Sequence, residues 1–304
     1  QMEKDWKHYP VIRLDMSRGG ASEETLRSYL NLRFKDYEEK YNITPDPTAM
    51  LADRFHAIIA TAYKQTGLRV VVLIDEYDSP LQHSWRTPEH EKCTGVYREV
   101  FAILKADDEY EHFVFITGIT KFTQISLFSV LNNLSNISFM PEYAAICGIT
   151  EEEIEENFMP EIRQMSEANN WSVQETHDRL KAYYDGYHFS RRNMVDVYNP
   201  YSLVNALKSK EIINFWASSG ATSLLPKFVD NAELRISNFE NIRIMRNTLE
   251  LSDVSGGGAE LFLYQSGYLT IKDSDEFGYI LGFPNEEVKQ ALYEYYGEDL
   301  TAGR

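Results

Sequence analysis

The sequence has few cysteines and no long apolar run. Among its 304 residues are two cysteines, Cys93 and Cys147, which lie far apart and show no metal-ligand spacing. This usage is typical of a reducing compartment, so we expect a cytoplasmic protein. No stretch approaches the roughly 18 apolar residues of a membrane span, and no basic start followed by an apolar stretch indicates a secretory signal. We therefore expect no membrane partner.

Basic residues are also in short supply. The sequence carries 30 Lys and Arg against 47 Asp and Glu, which gives a net charge of −17. A protein that binds nucleic acid through a general basic surface needs the opposite balance, because contacts to phosphate dominate such binding. We expect no general nucleic-acid surface, although a local basic patch stays open. The hydrophobic share of 43% is typical of a globular chain of one large or two ordinary domains.

One stretch of the sequence stands out as its centre. Residues 70–74 are consecutive apolar residues, most of them β-branched, and they are followed at once by Asp75 and Glu76. Such a run is typical of a strand buried on both faces in the middle of a parallel sheet. Ligands of open α/β sheets bind at the carboxyl ends of the strands. One acid could hold a hydrated metal ion and the other a water molecule, or both could cap the next helix or face solvent.

Strands alternate with helices over the first half of the chain, which predicts βαβ units and a parallel sheet. A further helix is predicted around Leu127 to Leu134, followed by a candidate edge strand at Ile137–Phe139. The other elements that the apolar patterns predict are strand 9–15, helix 22–41, helix 46–66, strand 70–74, helix 89–104 and strand 112–117.

The composition changes near residue 149, and helices dominate from there. Capping boxes begin at Thr150 and Ser172. Two strand-like segments, 268–271 and 279–283, flank an acidic turn and predict a β-hairpin before a last helix. Helices, a hairpin and a closing helix are typical of a winged-helix-like module. The predicted domains are residues 1–148 and 149–304.

Several segments together resemble one bacterial protein family, in the order in which they occur. The central segment reads Val-Leu-Ile-Asp-Glu-Tyr-Asp-Ser-Pro-Leu, and a second reads Phe-Val-Phe-Ile-Thr-Gly-Ile-Thr-Lys-Phe. They are similar to the AAA-ATPase-like family, whose members often carry a PD-(D/E)XK nuclease-like domain after the ATPase part. The Asp-Glu pair resembles the Walker B element of P-loop ATPases. The segments that carry the resemblance are 10–17, 72–81, 113–122, 131–134, 183–189 and 283–288.

The resemblance implies an α/β fold with a P-loop-NTPase-like parallel sheet, followed by a mostly helical lid and a winged-helix-like C-terminal region. It implies that Asp75 binds Mg²⁺, directly or through water, and that Glu76 orients or activates the attacking water. Thr117, at the end of the neighbouring strand, would sense the γ-phosphate. Lys121 could reach a phosphate or lie in solvent. Phosphoryl transfer needs chiefly positioning and charge neutralisation, so these roles suffice only beside a phosphate-binding loop.

That loop is where the chain departs from the family. No G-x-x-x-x-G-K-[ST] motif occurs in the sequence, and Gly19–Gly20 and Gly256–Gly258 are interpreted as turns. Backbone N–H groups of the P-loop supply most of the phosphate binding. We therefore expect a sheet without its first strand and P-loop, in a chain that is the middle part of a longer protein. ATP and Mg²⁺ are expected for the intact protein, and weak or no ATP binding for this chain alone.

Three functions stay open at the level of sequence. The first is the Walker B, sensor and lid part of an ATPase that controls a fused nuclease-like domain or another protein partner. The second is a non-catalytic interaction module built on a degenerate ATPase fold. The third is a metal-dependent nuclease that uses Asp75, Glu76 and Asp78. It ranks last, because PD-(D/E)XK nucleases need a lysine where this sequence has Asp78.

The aromatic segment 183–189 has two interpretations. It could be a lid element whose Asp185 or His188 faces a nucleotide or a partner. It could instead stop a helix at Gly186, with its aromatic side chains packed into the core. Burial of aromatic side chains is strongly stabilising, and glycine just past a helix end is ordinary, so the second interpretation is favoured.

Overall fold

The computed structural model describes residues 7–122, 134–219, 225, 239–252 and 258–302. The helix predicted around Leu127 to Leu134 falls almost wholly outside these residues, as do Gly256 and Gly257. The chain forms two compact units, residues 1–135 and 136–304, and the domain boundary after residue 148 stays a prediction. Within the described ranges, no helix is both long and apolar enough to cross a membrane.

The first unit contains a parallel sheet with helices, as the alternation of strands and helices predicts. Its strands are β1 (Val11–Asp15), β2 (Val70–Asp75) and β3 (Glu111–Ile116), in the order β1-β2-β3. Asp15 is the register partner of Asp75, and Ile74 is the partner of Ile116. The three strands therefore end at the same edge of the sheet.

The helices of this unit are α1 (Glu23–Lys40), α2 (Leu51–Thr66), α3 (Ser79–Ser84), α4 (Glu89–Phe101) and α5 (Ile103–Ala106). Sequence signals locate the start of α1 and the end of α2, whereas α3 is not predicted and the predicted helix 89–104 divides into α4 and α5. Ser22 caps α1 through a hydrogen bond from Thr25 N, and Gly67, with φ of 67°, ends α2. The start predicted for α2 at Asp46 is wrong, because the Asp46 carboxylate accepts from Thr48 N at 2.8 Å and forms a turn instead.

The two faces of the sheet are covered unequally. Along β2, burial alternates between fully buried side chains at Val70, Val72 and Ile74 and half-buried ones between them. The prediction of a strand buried on both faces is therefore correct for one face only. On β3 the side chain of Phe113 is 52% exposed. The apolar run predicts the strand correctly. Whether both faces of the strand are buried depends on which elements pack against each face of the sheet.

The second unit is helical with a small antiparallel sheet. Its strands β4 (Ile242–Met245), β5 (Thr270–Ser274) and β6 (Gly278–Gly282) have the order β4-β6-β5, which confirms the predicted hairpin. The edge strand predicted at Ile137–Phe139 is wrong, since Asn136 Oδ1 accepts from Ser138 N and forms a turn there. The helices are α6 (Glu151–Asn157), α7 (Met159–Asn169), α8 (Val173–Tyr184), α9 (Pro200–Ser209), α10 (Arg246–Leu251), α11 (Gly258–Gln265) and α12 (Glu286–Ala302).

The segment after α8 joins several elements of the second unit. The helix ends at Tyr184, as the helix-stop interpretation predicts. Beyond it, the carbonyl of Asp185 accepts from Asn285 Nδ2 at 3.0 Å, ahead of α12. The backbone N–H of His188 donates to Thr270 Oγ1 at 2.8 Å, on β5. Gly186 lies between these contacts with φ of 96°, and this segment therefore connects α8, β5 and the start of α12.

We predict that Gly186→Ala destabilises the protein more than Gly267→Ala does. Both glycines have positive φ, so alanine costs about 1–2 kcal/mol at either position. At Gly186 the added Cβ would also collide with the carbonyl oxygen of Pro284, whereas at Gly267 its nearest neighbour would lie 3.8 Å away. The collision adds about 1–3 kcal/mol. Urea unfolding of both variants measures the difference, and equal losses would contradict this packing.

Candidate functional site

The candidate site lies where β2 and β3 end side by side. Thr117 follows β3 directly, and its backbone N–H donates to the carbonyl of Ile74 at 2.9 Å. Its hydroxyl donates to Oδ1 of Asp75 at 2.7 Å. The contact follows from the parallel register of β2 and β3, because Asp75 and Thr117 follow the register partners Ile74 and Ile116. The structure thus brings two of the residues predicted from the sequence, Asp75 and Thr117, into direct contact.

The other oxygen of Asp75 remains accessible. Its Oδ2 lies 3.4 Å from a guanidinium nitrogen of Arg13, and these two side chains are 48% and 63% exposed. An ion pair this exposed contributes about 0–1 kcal/mol, because water screens it. A cation or a water molecule can therefore compete with Arg13 for this carboxylate. Arg13 escaped the sequence reasoning, since an arginine within a strand carries no signal of its partner.

A further acid, Asp15, stands at the end of β1 opposite Asp75. Its carboxylate accepts from Ser17 Oγ at 2.6 Å and from Ser17 N at 3.3 Å. The register of the sheet makes Asp15 and Asp75 neighbours across the strands. Sequence reasoning missed Asp15, although it ends its strand as Asp75 ends the next one. Its position adds a second negative charge to the same edge of the sheet.

Glu76 has an unusual backbone conformation and an altered acidity. Its φ of 48° is rare for a residue with a side chain and costs about 1–3 kcal/mol. The conformation is held by the bond from Ser79 N to the Glu76 carbonyl at 3.0 Å. Partial burial raises the pKa of Glu76, and the nearby charges of Asp15, Asp75 and Asp78 raise it further. A carboxylate with a raised pKa is a better proton acceptor, which suits a group that orients water.

Asp78 belongs to the interior and not to the open edge. Only 1% of it is exposed, and its carboxylate accepts from Ile119 N, Thr120 and Gln82 Nε2. Burial raises the pKa of Asp78, and the hydrogen bonds from Thr120 and Ile119 oppose that shift. A carboxylate that is buried and bound to protein donors in this way is a poor metal ligand, which weakens the nuclease hypothesis at one of its three residues.

The residues at this edge fit one mode of Mg²⁺ binding. Across the described ranges, no cluster of three or more His, Cys, Asp or Glu side chains could hold a metal by itself. Mg²⁺ is commonly bound through one or two carboxylates, with water and substrate phosphates completing its shell. The accessible carboxylate of Asp75 suits that mode. Lys121 is half-buried in the loop after β3, and its contact with a phosphate stays a prediction.

Comparison with known proteins supports the family resemblance for part of the chain. Residues 1–128 match the model of the AAA-ATPase-like family, described as predicted AAA-ATPase. An uncharacterized protein in the vnfD 5′ region of Azotobacter chroococcum mcd 1 is 32% identical over 298 residues. The match covers 95% of this chain and 55% of that protein, so the chain spans about half the length of the curated relative.

We predict that Asp15→Asn lowers the pKa of Glu76. The Asp15 charge is, after burial, the largest influence that raises this pKa, and the substitution removes the charge while keeping the size of the side chain. Carboxyl NMR titration of the chain measures the pKa directly. Asp46→Asn, at an exposed turn outside the site, is the control and should leave it unchanged. A Glu76 pKa that stays constant in Asp15→Asn would show that the two carboxylates do not interact.

Proposed function

We propose, from the match of residues 1–128 to the AAA-ATPase-like family, that this chain forms the Walker B and sensor part of an ATP-hydrolysing protein. The single observation that carries the proposal is the bond from the Thr117 hydroxyl to Asp75 at 2.7 Å. It unites a carboxylate and a polar sensor at the carboxyl ends of adjacent parallel strands, the edge at which α/β sheets bind ligands.

Each residue then has a separate task. Asp75 holds Mg²⁺ through its accessible oxygen, while Thr117 fixes the orientation of that carboxylate. The metal, when bound with ATP, neutralises charge on the phosphates. Glu76 orients the attacking water and accepts its proton, a role that its raised pKa supports. Thr117 would also sense the γ-phosphate, a role that its contact with Asp75 supports.

The phosphate-binding loop is the part that this chain does not encode. The 304 residues contain no G-x-x-x-x-G-K-[ST] motif. We propose that the intact protein supplies it, together with the fused nuclease-like domain or protein partner that the ATPase controls. The helical region and hairpin of the second unit then act as the lid and winged-helix-like module. A cytoplasmic, bacterial protein is part of the same proposal.

A non-catalytic interaction module is the second candidate. It is favoured by the Arg13 guanidinium, which lies 3.4 Å from the oxygen of Asp75 that a metal would need. In that reading the strand-end acids are retained from the ATPase fold without a nucleotide. Nucleotide binding by the full-length protein separates the two candidates.

We predict that the full-length protein binds Mg²⁺–ATP and that Asp75→Ala weakens this binding roughly tenfold or more, through loss of a metal ligand. Isothermal titration calorimetry measures the affinity. Titration with ATP in EDTA is the control, because affinity without metal should be nearly the same in both proteins. The chain of residues 1–304 should bind weakly or not at all. Absence of binding by the full-length protein would favour the interaction module.

We predict that Glu76→Gln in the full-length protein abolishes hydrolysis while ATP still binds. Loss of a general base lowers turnover by about 10²–10⁴-fold, whereas the amide keeps the size of the side chain. Phosphate release measures turnover, and calorimetry measures binding. Glu24→Gln, at an exposed position on α1, should behave as the wild type. Unchanged turnover in Glu76→Gln would remove Glu76 from the mechanism.

A further inference from the structure

We propose that Asp78 is a positioning residue: it clamps the turn after β3 and thereby sets Thr117 against Asp75. The inference rests on the proposed ATPase function, which it extends to a residue that lies outside the metal and water contacts. Asp78 is a buried acid, and the hydrogen bonds of its carboxylate come from backbone N–H groups, a hydroxyl and an amide, and not from a cation.

The carboxylate of Asp78 binds the turn mainly through main-chain groups. It accepts from Ile119 N at 3.1 Å, from Thr120 N and from Thr120 Oγ1 at 2.7 Å. Gln82, one turn along α3, donates to the same oxygen at 2.5 Å and to Thr120 Oγ1 at 2.9 Å. Hydrogen bonds to an ionised acceptor are about twice as strong as neutral ones. Asp78 therefore fixes residues that follow it by about forty positions in the sequence.

Tyr77 binds the same turn. Its hydroxyl donates to the Thr120 carbonyl at 2.9 Å and accepts from Phe122 N at 3.1 Å. Its backbone N–H donates to the carbonyl of Thr117 at 2.9 Å. Tyr77 and Asp78, which follow Glu76 directly, thus bind both ends of the turn.

Gly118 shows how closely the two segments approach. A Cβ at this position would lie 2.5 Å from Oδ1 of Asp78 and 2.6 Å from the ring of Tyr77. Only glycine leaves room for the carboxylate to reach the N–H groups beyond it. The turn therefore packs so closely against the Asp78 side chain that neither has room to move.

The Asp78 carboxylate acts on the proposed catalytic groups through the turn, since its hydrogen bonds come from Ile119, Thr120 and Gln82. Thr117 leads directly into the clamped turn, and Glu76 lies between Asp75 and the clamping residues with φ of 48°. Release of the turn would let the Thr117 hydroxyl move away from Asp75 and let Glu76 leave its strained conformation. A displacement of about 1 Å can cost roughly 100-fold in rate. Asp78 thus acts chiefly by positioning, beside the smaller contribution of its charge to the raised pKa of Glu76.

The test is Asp78→Asn in the full-length protein. The amide keeps the volume but carries no charge and only one acceptor oxygen, so the hydrogen bonds to the turn weaken and an N–H group faces one of the former donors. We expect kcat to fall roughly 10- to 100-fold and the calorimetric Kd for Mg²⁺–ATP to change by less than about threefold, because nucleotide affinity comes chiefly from the phosphate-binding loop. A kcat equal to that of the wild type would overturn the inference.

Glu38→Gln is the matched control. Glu38 is also a buried acid of the first unit, 2% exposed, and its two oxygens bind Arg54 at 2.6 and 2.8 Å. Its substitution costs stability of the same kind but leaves the turn intact. Thr120→Val is a milder variant in case Asp78→Asn does not fold; it removes one donor to Asp78 and should lower kcat severalfold. A loss of kcat in Glu38→Gln as large as in Asp78→Asn would show a general effect of stability and overturn the inference.

Hydrogen exchange on residues 1–304 separates the clamp from the ATPase. In Asp78→Asn the amides of Ile119 and Thr120 should exchange at least about tenfold faster than in Glu38→Gln, since their acceptor loses its charge and one of its two oxygens. Equal exchange would overturn the clamp whatever the activity. If the wild-type full-length protein hydrolyses no ATP, the proposed function fails, and the positioning role fails with it even where exchange shows the clamp. If the wild type hydrolyses ATP and Asp78→Asn does so at the same rate, the positioning role fails while the proposed function stands.

Discussion

The parallel register of the first sheet is the constraint on which the candidate site depends. Because Asp15 pairs with Asp75 and Ile74 with Ile116, the three strands end at one edge, and the residues there become neighbours by geometry alone. A slip of one residue would send alternate side chains to the opposite face, since successive strand residues point in opposite directions. The contact between the Thr117 hydroxyl and Asp75 is therefore a consequence of the apolar packing that fixes the sheet.

That geometry concentrates negative charge, and the protein handles its two kinds of acid differently. At the open edge, Asp75 pairs with the exposed Arg13. Partial burial raises the pKa of Glu76, and the neighbouring charges of Asp15 and Asp75 raise it further. Below the edge, Asp78 is satisfied by N–H and O–H donors. A cation bound at the edge would relieve the repulsion between the open carboxylates, whereas Asp78 gains nothing from one. The acids at the open edge are therefore suited to bind a ligand, whereas Asp78 is suited to support the structure.

Much of this architecture could be predicted from local sequence. The five-residue apolar run locates β2, the capping residue Ser22 locates α1, and the strand-ending positions of Asp75 and Thr117 identify the edge. Long-range features could not be predicted in this way. The burial of Asp78 depends on a turn about forty residues away, and the exposure of Phe113 depends on which elements cover the sheet. Local side-chain hydrogen bonds override the expected elements elsewhere, because the side chains of Asp46 and Asn136 form turns where a helix start and a strand were expected.

A comparison of Glu38 and Asp78, both buried acids of the first unit, shows why burial alone does not reveal a role. Glu38 joins α1 to Arg54 of α2, helices that also pack directly against each other, so the ion pair repeats a contact that apolar side chains already make. Such pairs can often be replaced by apolar residues of similar volume. Asp78 instead accepts from main-chain N–H groups, which persist whatever side chains the turn carries, and no apolar residue could satisfy them. Removing its acceptors would leave buried donors unpaired, at about 1–3 kcal/mol each. Asp78 binds backbone next to the site, so its loss would disturb the site more than the loss of Glu38 would.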